Sequence, residues 1–540
     1  MKRIIALLLC MAAALSLFGC AGNRSSAYVP TGNALTPEDG ETPTSPTEEE
    51  KGEQSLTLAY YADRSLNPYQ CTDFTNRTLF SFLYQGLFSV DRDGNVEAVL
   101  CKRYTVSEDM RTYTFYPNTS ATFSDGSHLT AEDVEASLLA ASTSEYYKGR
   151  FSHVDSIAAT QGGGVTIRLD TAYENLPLLL DIPITKASNV NSIRPLGTGP
   201  YEFASTVGGL RLHKRTQWWC EADLVVYADA IDLVAAENNA YIRDQFEFYV
   251  VGVVCADPCT DTYADYRCDY ELWDCENGMF LYLGCNMYSK VFENATLRSA
   301  LTYAIDREKI ATEYYRGFGQ PASLPLSPGS PWYNENLAED YAYDPDKFSQ
   351  AVTASGMAGK EITLLVNSDD SLRTRVANVI AEMLAAGGLK VTVVAESTKS
   401  YTESYKQGLF DLYLGQTKLS PNMDLSSFFA PWGGLSYCGM DDGAIYAMCL
   451  ESLENSGNYY TLSQMVMNDG RLCPVLFGCY AIYADRGLFS NLAPARDNVF
   501  YYSIGTSASD VQYTTDVEDP TIPEETTEET TGETTEETEG

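Results

Sequence analysis

Apolar residues at helical spacing mark one stretch above all others, residues 293–317. Leu297, Ala300, Leu301, Ala304 and Ile305 form a single stripe there, with Asn294 placed to cap its start. Asp306 restarts the count as a second N-cap. Glu308 follows in the first turn, Ile310, Ala311 and Tyr314 make the buried face, and Gly317 is the terminator. The pattern predicts two short helices meeting at Asp306. Apolar runs predict strands at 56–61, 112–116, 165–169, 280–286, 362–366, 391–394 and 410–414, and helices at 79–88, at 372–386 and near Tyr401. Asp91-Arg92-Asp93-Gly94 and Asp125-Gly126 are turns. Thr130 caps a helix from Ala131, with Asp133 three residues on in the manner of a capping box. Beyond residue 362 strands and helices alternate, as in an α/β domain.

The two ends depart from this patterning. Lys2 and Arg3 precede an apolar run over residues 4–17, and Leu17-Phe18-Gly19-Cys20 has the form of a bacterial lipoprotein cleavage box. Residues 1–19 are expected to be a signal peptide and Cys20 to carry lipid, which leaves the protein on the outer face of the cell membrane. Residues 20–54 are rich in Ser, Thr, Pro, Gly and Glu, a flexible acidic leash. Residues 514–540 end in EETTEETTGETTEETEG, which holds too little apolar surface to build a core. At 540 residues the part between still suffices for several cores.

The formal net charge is −38, and removing both tails leaves the remainder acidic. Nucleic acid is excluded as a partner, because phosphate binding needs a basic surface. Of 14 cysteines, Cys10 leaves with the signal and Cys20 takes lipid. The other twelve allow disulfides or unpaired buried thiols, and the pattern does not choose between them. Zinc is not expected in the stretch from Cys255 to Cys285, which has no CxxC pair and no neighbouring histidine.

Several motifs in fixed order carry a resemblance. Arg298, Ala300, Leu301, Tyr303, Ala304, Ile305, Asp306 and Arg307 match R-x-A-L-x-Y-A-I-D-R. Phe123, Asp125, Gly126, Leu129, Thr130, Ala131, Asp133 and Val134 match F-x-D-G-x-x-L-T-A-x-D-V. Gly197-Thr198-Gly199-Pro200-Tyr201 matches GTGPY. The chain resembles the family 5 extracellular solute-binding proteins, the peptide-binding components of ABC importers, over residues 55–513. Between 217 and 274 the likeness thins. The resemblance implies an α/β, two-lobed periplasmic-binding-protein-like fold of the class II or cluster C type, with mixed sheets, a hinge between lobes and an extra small domain. Lobe I is expected from 55–95, 198–284 and 481–513, the small domain from 96–197, and lobe III from 285–480.

The implied function is capture of a peptide or other small polar solute between the lobes and delivery to an ABC permease, by a monomer without cofactor or metal. A surface sensor or adhesion protein on the same fold is the alternative. No HExxH, G-x-S-x-G or Walker loop is present, and His128, His153 and His213 stand singly, so no enzyme is expected. In peptide binders of the family, the loop after the strand at 410–414 reads G-W-x-x-D-x-x-D-P-x-x-F, and its first Asp receives the peptide amine. Here Lys418 takes the Trp position, Pro421 that Asp, and Asp424 the later one. A free amine is therefore not assured as the handle. The expected ligand-binding residues are Tyr61 and Asp63 in the first lobe, and Asn286, Gln416, Thr417, Lys418 and Asp424 facing them. Two uses of the loop stay open: Lys418 solvated and Asp424 capping the next helix, or Lys418 meeting an anionic group or Asp424 taking the amine after a loop shift.

Overall fold

In the strand Ser55–Tyr61, Leu56, Leu58 and Tyr60 enter one apolar core while Ala59 and Tyr61 enter another. A strand apolar on both faces must be covered on both, and this one lies inside a sheet with parallel neighbours Ala230–Ala236 and Val253–Ala256. The computed structural model describes residues 55–221, 228–258, 266–489 and 492–500. The expected signal at 1–19, Cys20, the leash at 20–54, Cys259, the last part of lobe I at 501–513 and the tail at 514–540 lie outside the described residues.

One eleven-stranded sheet runs through both lobes. Its order is Lys390–Glu396, Glu361–Asn367, Leu412–Lys418, Glu271–Cys285, Leu472–Ala484, Val253–Ala256, Ser55–Tyr61, Ala230–Ala236, Gly209–Lys214 and Tyr201–Thr206, with Gly319–Pro321 paired to Leu472–Ala484. The two long central strands, Glu271–Cys285 and Leu472–Ala484, pair with each other at both ends, but their register breaks between Glu276 and Phe280. Gly278 takes φ +76° at this break, and the Asn277 side chain accepts the Met279 N–H at 2.9 Å. Only glycine adopts such an angle without strain. The division expected between 284 and 285 thus falls inside a continuous strand, and the irregularity lies at 277–279. A second irregularity lies beside Pro474, which has no N–H to give the ladder.

The lobe holding the C-terminal half of Glu271–Cys285 is packed on both faces by the same alternation. Leu281, Leu283, Leu364, Leu412 and Leu414 join one core, whereas Phe280, Tyr282, Leu365 and Tyr413 join the other. The organising helices form at Ala295–Ala304 and Arg307–Lys309, with Asn294 accepting from Leu297 and Asp306 from Lys309. The second continues as a π-helical turn, Ile310–Tyr314. That wider turn rotates the following residue inward, so Tyr315 is buried and the expected Tyr314 only half-buried. Arg307 is fully enclosed, donating to the carbonyls of Thr302, Ala322 and Pro474 and to the Thr302 hydroxyl.

The small domain carries a four-stranded sheet, Cys101–Val106, Thr112–Pro117, Val165–Leu169 and Val154–Ala159, covered by the helix Ala131–Ser142. That helix begins with the expected capping box of Thr130 and Asp133. One local expectation shifts. The helix expected at 79–88 forms earlier, as Phe74–Thr78 and Phe80–Leu83, and Phe88 opens a strand instead. Gly197 and Gly199 lack positive φ; they are required because a Cβ at either would run into the Leu83 backbone.

Candidate functional site

Lys418 ends the strand Leu412–Lys418 and pairs with Met279, where the central register breaks. The expected binding loop is therefore strand up to this residue, with Gln416 opposite Leu281 and Thr417 opposite Phe280, both half-buried. Lys418 is not solvated: its Nζ is inaccessible, lies 3.5 Å over the Tyr146 ring and 3.9 Å from Asp497, and has no hydrogen-bond partner among the described residues. Burial pushes its pKa well below the ordinary lysine value; Asp497 opposes this, and Arg496, Arg77 and Arg150 add to it.

The surrounding groups come from distant parts of the chain. Tyr146, from the small domain, donates its hydroxyl to Asp497 at 2.6 Å, and its ring also receives the Arg77 guanidinium, 3.2 Å from the centroid. Arg150 is ion-paired to both Asp181 and Asp497 and donates to the Leu179 carbonyl. Arg77 is held by the Pro68 and Cys71 carbonyls and the Tyr147 hydroxyl. Arg496 donates to the carbonyl of Leu419, and its guanidinium lies against Gly278. Burial would raise the Asp497 carboxyl, but Arg150, Lys418, Arg496 and Arg77 hold it far below the carboxylate range, so it is ionised.

Asp424 is engaged by its own chain on two sides. It accepts the Ser426 N–H at 2.8 Å, starting the helix Ser426–Phe429, and it faces His153 Nε2 from the small domain at 3.2 Å. His153 Nδ1 lies 3.0 Å from Asp170. Burial would lower the His153 pKa, but the two carboxylates outweigh it and raise it; burial would raise that of Asp424, but His153 and Ser426 lower it.

The remaining expected residues lie apart from this cluster. Asn286 donates its amide N–H groups to the Gly408 and Phe410 carbonyls, and its oxygen accepts the Tyr288 N–H, so its polar atoms are used within its own lobe. Asp63 is exposed. Tyr61 is buried, hydrogen-bonded to Asn239, with the Arg64 guanidinium over its ring. Asn239 lines a cavity of about 730 Å³ with Arg64, Asp73, Arg243, Asp257 and Tyr480. This cavity sits past the carboxyl ends of the parallel strands Ser55–Tyr61, Ala230–Ala236 and Val253–Ala256, where open α/β sheets bind ligands. Tyr480, stacked on Phe74 at 3.5 Å, is also within electrostatic reach of Arg77 and Asp497, so the cavity adjoins the charged cluster. Sequence patterning passed over Arg77, Tyr146, Arg150, Arg496, Asp497 and His153. No local signal marks them, because each acts through a partner far away in the chain.

Among the described residues no group of His, Cys, Asp and Glu is arranged to hold a metal ion, and no helix is long and apolar enough to cross a membrane.

The pattern shared by the Bacterial extracellular solute-binding proteins, family 5 Middle, matches residues 95–437. The Glutathione-binding protein GsiB of Salmonella typhi is 26% identical over 356 residues, covering 61% of this chain and 67% of the relative. Its namesake from Escherichia coli O6:K15:H31 is 27% identical over 352 residues, with the same coverage of 61% and 67%. Among solved structures, HbpA2 from Haemophilus parasuis superposes with a TM-score of 0.70 at 18% identity, covering 84% of this chain and 100% of its own. The oligopeptide-binding protein AppA from Bacillus subtilis, in complex with a nonapeptide, gives 0.59 at 20% identity, covering 84% and 99%.

Proposed function

The chain belongs to the bacterial extracellular solute-binding proteins of family 5, and from that premise we propose that it captures a short peptide or similar polar solute between its lobes and passes it to an ABC permease. The observation that carries this reading is the Lys418 ammonium, buried between lobes with no hydrogen-bond partner among the described residues. A buried polar group left unpaired by its own chain is a group kept for a ligand, and an ammonium calls for a carboxylate or another acceptor. With Pro421 at the amine-binding position, the solute is held by its acid end rather than its amine. The relatives named for glutathione suggest a first probe, since glutathione is a short peptide with free carboxylates.

Lipid on Cys20 keeps the protein at the outer membrane surface, beside its permease. The support is the Leu17 to Cys20 box. The variant Cys20→Ala then stays uncleaved or is released, and quantitative partition into detergent after signal removal counts against the anchor. Native mass spectrometry of the mature protein tests capture itself. A small co-purifying solute supports it; an empty protein that binds no peptide by calorimetry favours the sensor or adhesion role. Lys418→Met is expected to weaken a bound solute by about 1.5 to 3 kcal/mol, the range for a bond to a charged group.

A further inference from the structure

The charges gathered where the lobes meet do not balance. Four cationic side chains converge there, Arg77, Arg150, Lys418 and Arg496, against two carboxylates, Asp181 and Asp497. Both carboxylates are already engaged, since Arg150 pairs with the two of them and Asp497 also receives the Tyr146 hydroxyl. Arg77 bonds two carbonyls and a tyrosine hydroxyl and lies over the Tyr146 ring; it feels the Asp497 charge but forms no ion pair among the described residues. Two buried cationic donors are left without hydrogen-bond partners among the described residues, Lys418 Nζ and Arg496 Nε. They are neighbours, because Arg496 bonds the carbonyl of the residue after Lys418.

Burying uncompensated positive charge is costly, and the cost disappears when a counter-anion enters. The excess is the more telling in a chain whose formal net charge is −38. A surface that acidic repels anions in general. Its field is screened beyond ~8 Å at physiological ionic strength, whereas the buried cluster is screened far less. The adjoining cavity of about 730 Å³ has room for the rest of such a solute.

Resting on the solute-capture reading above, we propose that the crevice selects solutes carrying two or more acidic groups, one of them seated against Lys418 and Arg496. Neutral peptides lack the charge to offset the cluster, and basic peptides add to it. An acid group placed there supplies the acceptor that the Lys418 ammonium lacks.

Calorimetry on the mature full-length chain decides this, with Ala-Glu-Glu, Ala-Ala-Ala, Ala-Lys-Lys and glutarate as probes. Ala-Glu-Glu is expected to bind at least tenfold tighter than Ala-Ala-Ala, and Ala-Lys-Lys more weakly than either. In Lys418→Met, and in Lys418→Gln as a polar control, the tenfold ratio should collapse, with circular dichroism melts confirming the fold. Binding of glutarate but of no peptide supports the acid chemistry and overturns the peptide reading. Equal binding of the three peptides, or preference for Ala-Lys-Lys, overturns this inference and leaves solute capture standing. No binding of any probe by folded protein overturns both.

Discussion

His153 Nε2 lies 3.2 Å from the Asp424 carboxylate, tying the small domain to the start of the helix Ser426–Phe429. The His153 pKa is raised in the folded protein, so its contribution to stability is fully present below the unfolded value of about 6.5 and is lost as pH rises through the raised value. That of Asp424 is lowered, so its contribution is present above about 3.9 and fades on acidification below that. His153→Gln should therefore cost about 1 to 3 kcal/mol at pH 5 to 6 and progressively less toward pH 9. Melts across this range check it; a cost independent of pH would mean the bridge is not ionic.

Gly278→Ala sets two costs against the register break of the central strands. The residue sits at φ +76°, and a Cβ there would overlap the Arg496 guanidinium. The backbone part alone is about 1 to 2 kcal/mol. Urea denaturation should show a larger loss for Gly278→Ala alone than for Gly278→Ala measured in an Arg496→Ala background, where only the backbone cost remains. Equal losses in both backgrounds would show that Arg496 moves aside freely.

Arg307 has a structural task. Removing it leaves the Thr302, Ala322 and Pro474 carbonyls without their donors inside the protein. Arg307→Met should cost about 3 to 5 kcal/mol, and Arg307→Lys about 1 to 3, since one ammonium cannot span carbonyls that a planar fork reaches together. Guanidinium unfolding measures both. Unchanged midpoints would show these carbonyls find water.

Eleven cysteines are described, and nine of them are buried. Burial pushes the thiols of Cys71, Cys101 and Cys473 up to about 11 and that of Cys255 to about 12. A thiol so protected is a poor nucleophile. Alkylation of native protein, read by peptide mass spectrometry, should label Cys268 and Cys438 quickly and the other nine only on unfolding. Fast labelling of Cys285 or Cys473 would reveal an opening of the second lobe.

The disulfide question left open by the cysteine pattern is answered for Cys71, Cys101, Cys255, Cys268, Cys275, Cys285, Cys438, Cys449 and Cys473, whose thiols are free, by position, which spacing along a chain cannot report. What was legible was local. Asn294 caps Leu297, Asp306 caps Lys309, and Thr130 and Asp133 cap each other, each across three residues. Tyr146 and Lys418 are joined through the meeting of two lobes, and neither carries a mark of the other in its own neighbourhood. Even the strand at 410–414 was cut short, because Gln416 to Lys418 extend only by pairing with Met279 to Leu281. The helix at 74–83 was misplaced for the same reason: its apolar run continues into Phe88, which the strand Val96–Ala98 claims.

The order in which the chain is made gives the central strand Leu472–Ala484 a further meaning. It pairs with Glu271–Cys285 on one side and Val253–Ala256 on the other, so both older strands wait for a segment synthesised well after them. Until it arrives each presents a bare, apolar edge, the kind of template on which chains aggregate. A nascent chain shorter than about 470 residues therefore cannot complete either half of its sheet. The small domain, whose four-stranded sheet does not use that strand, is free of this dependence.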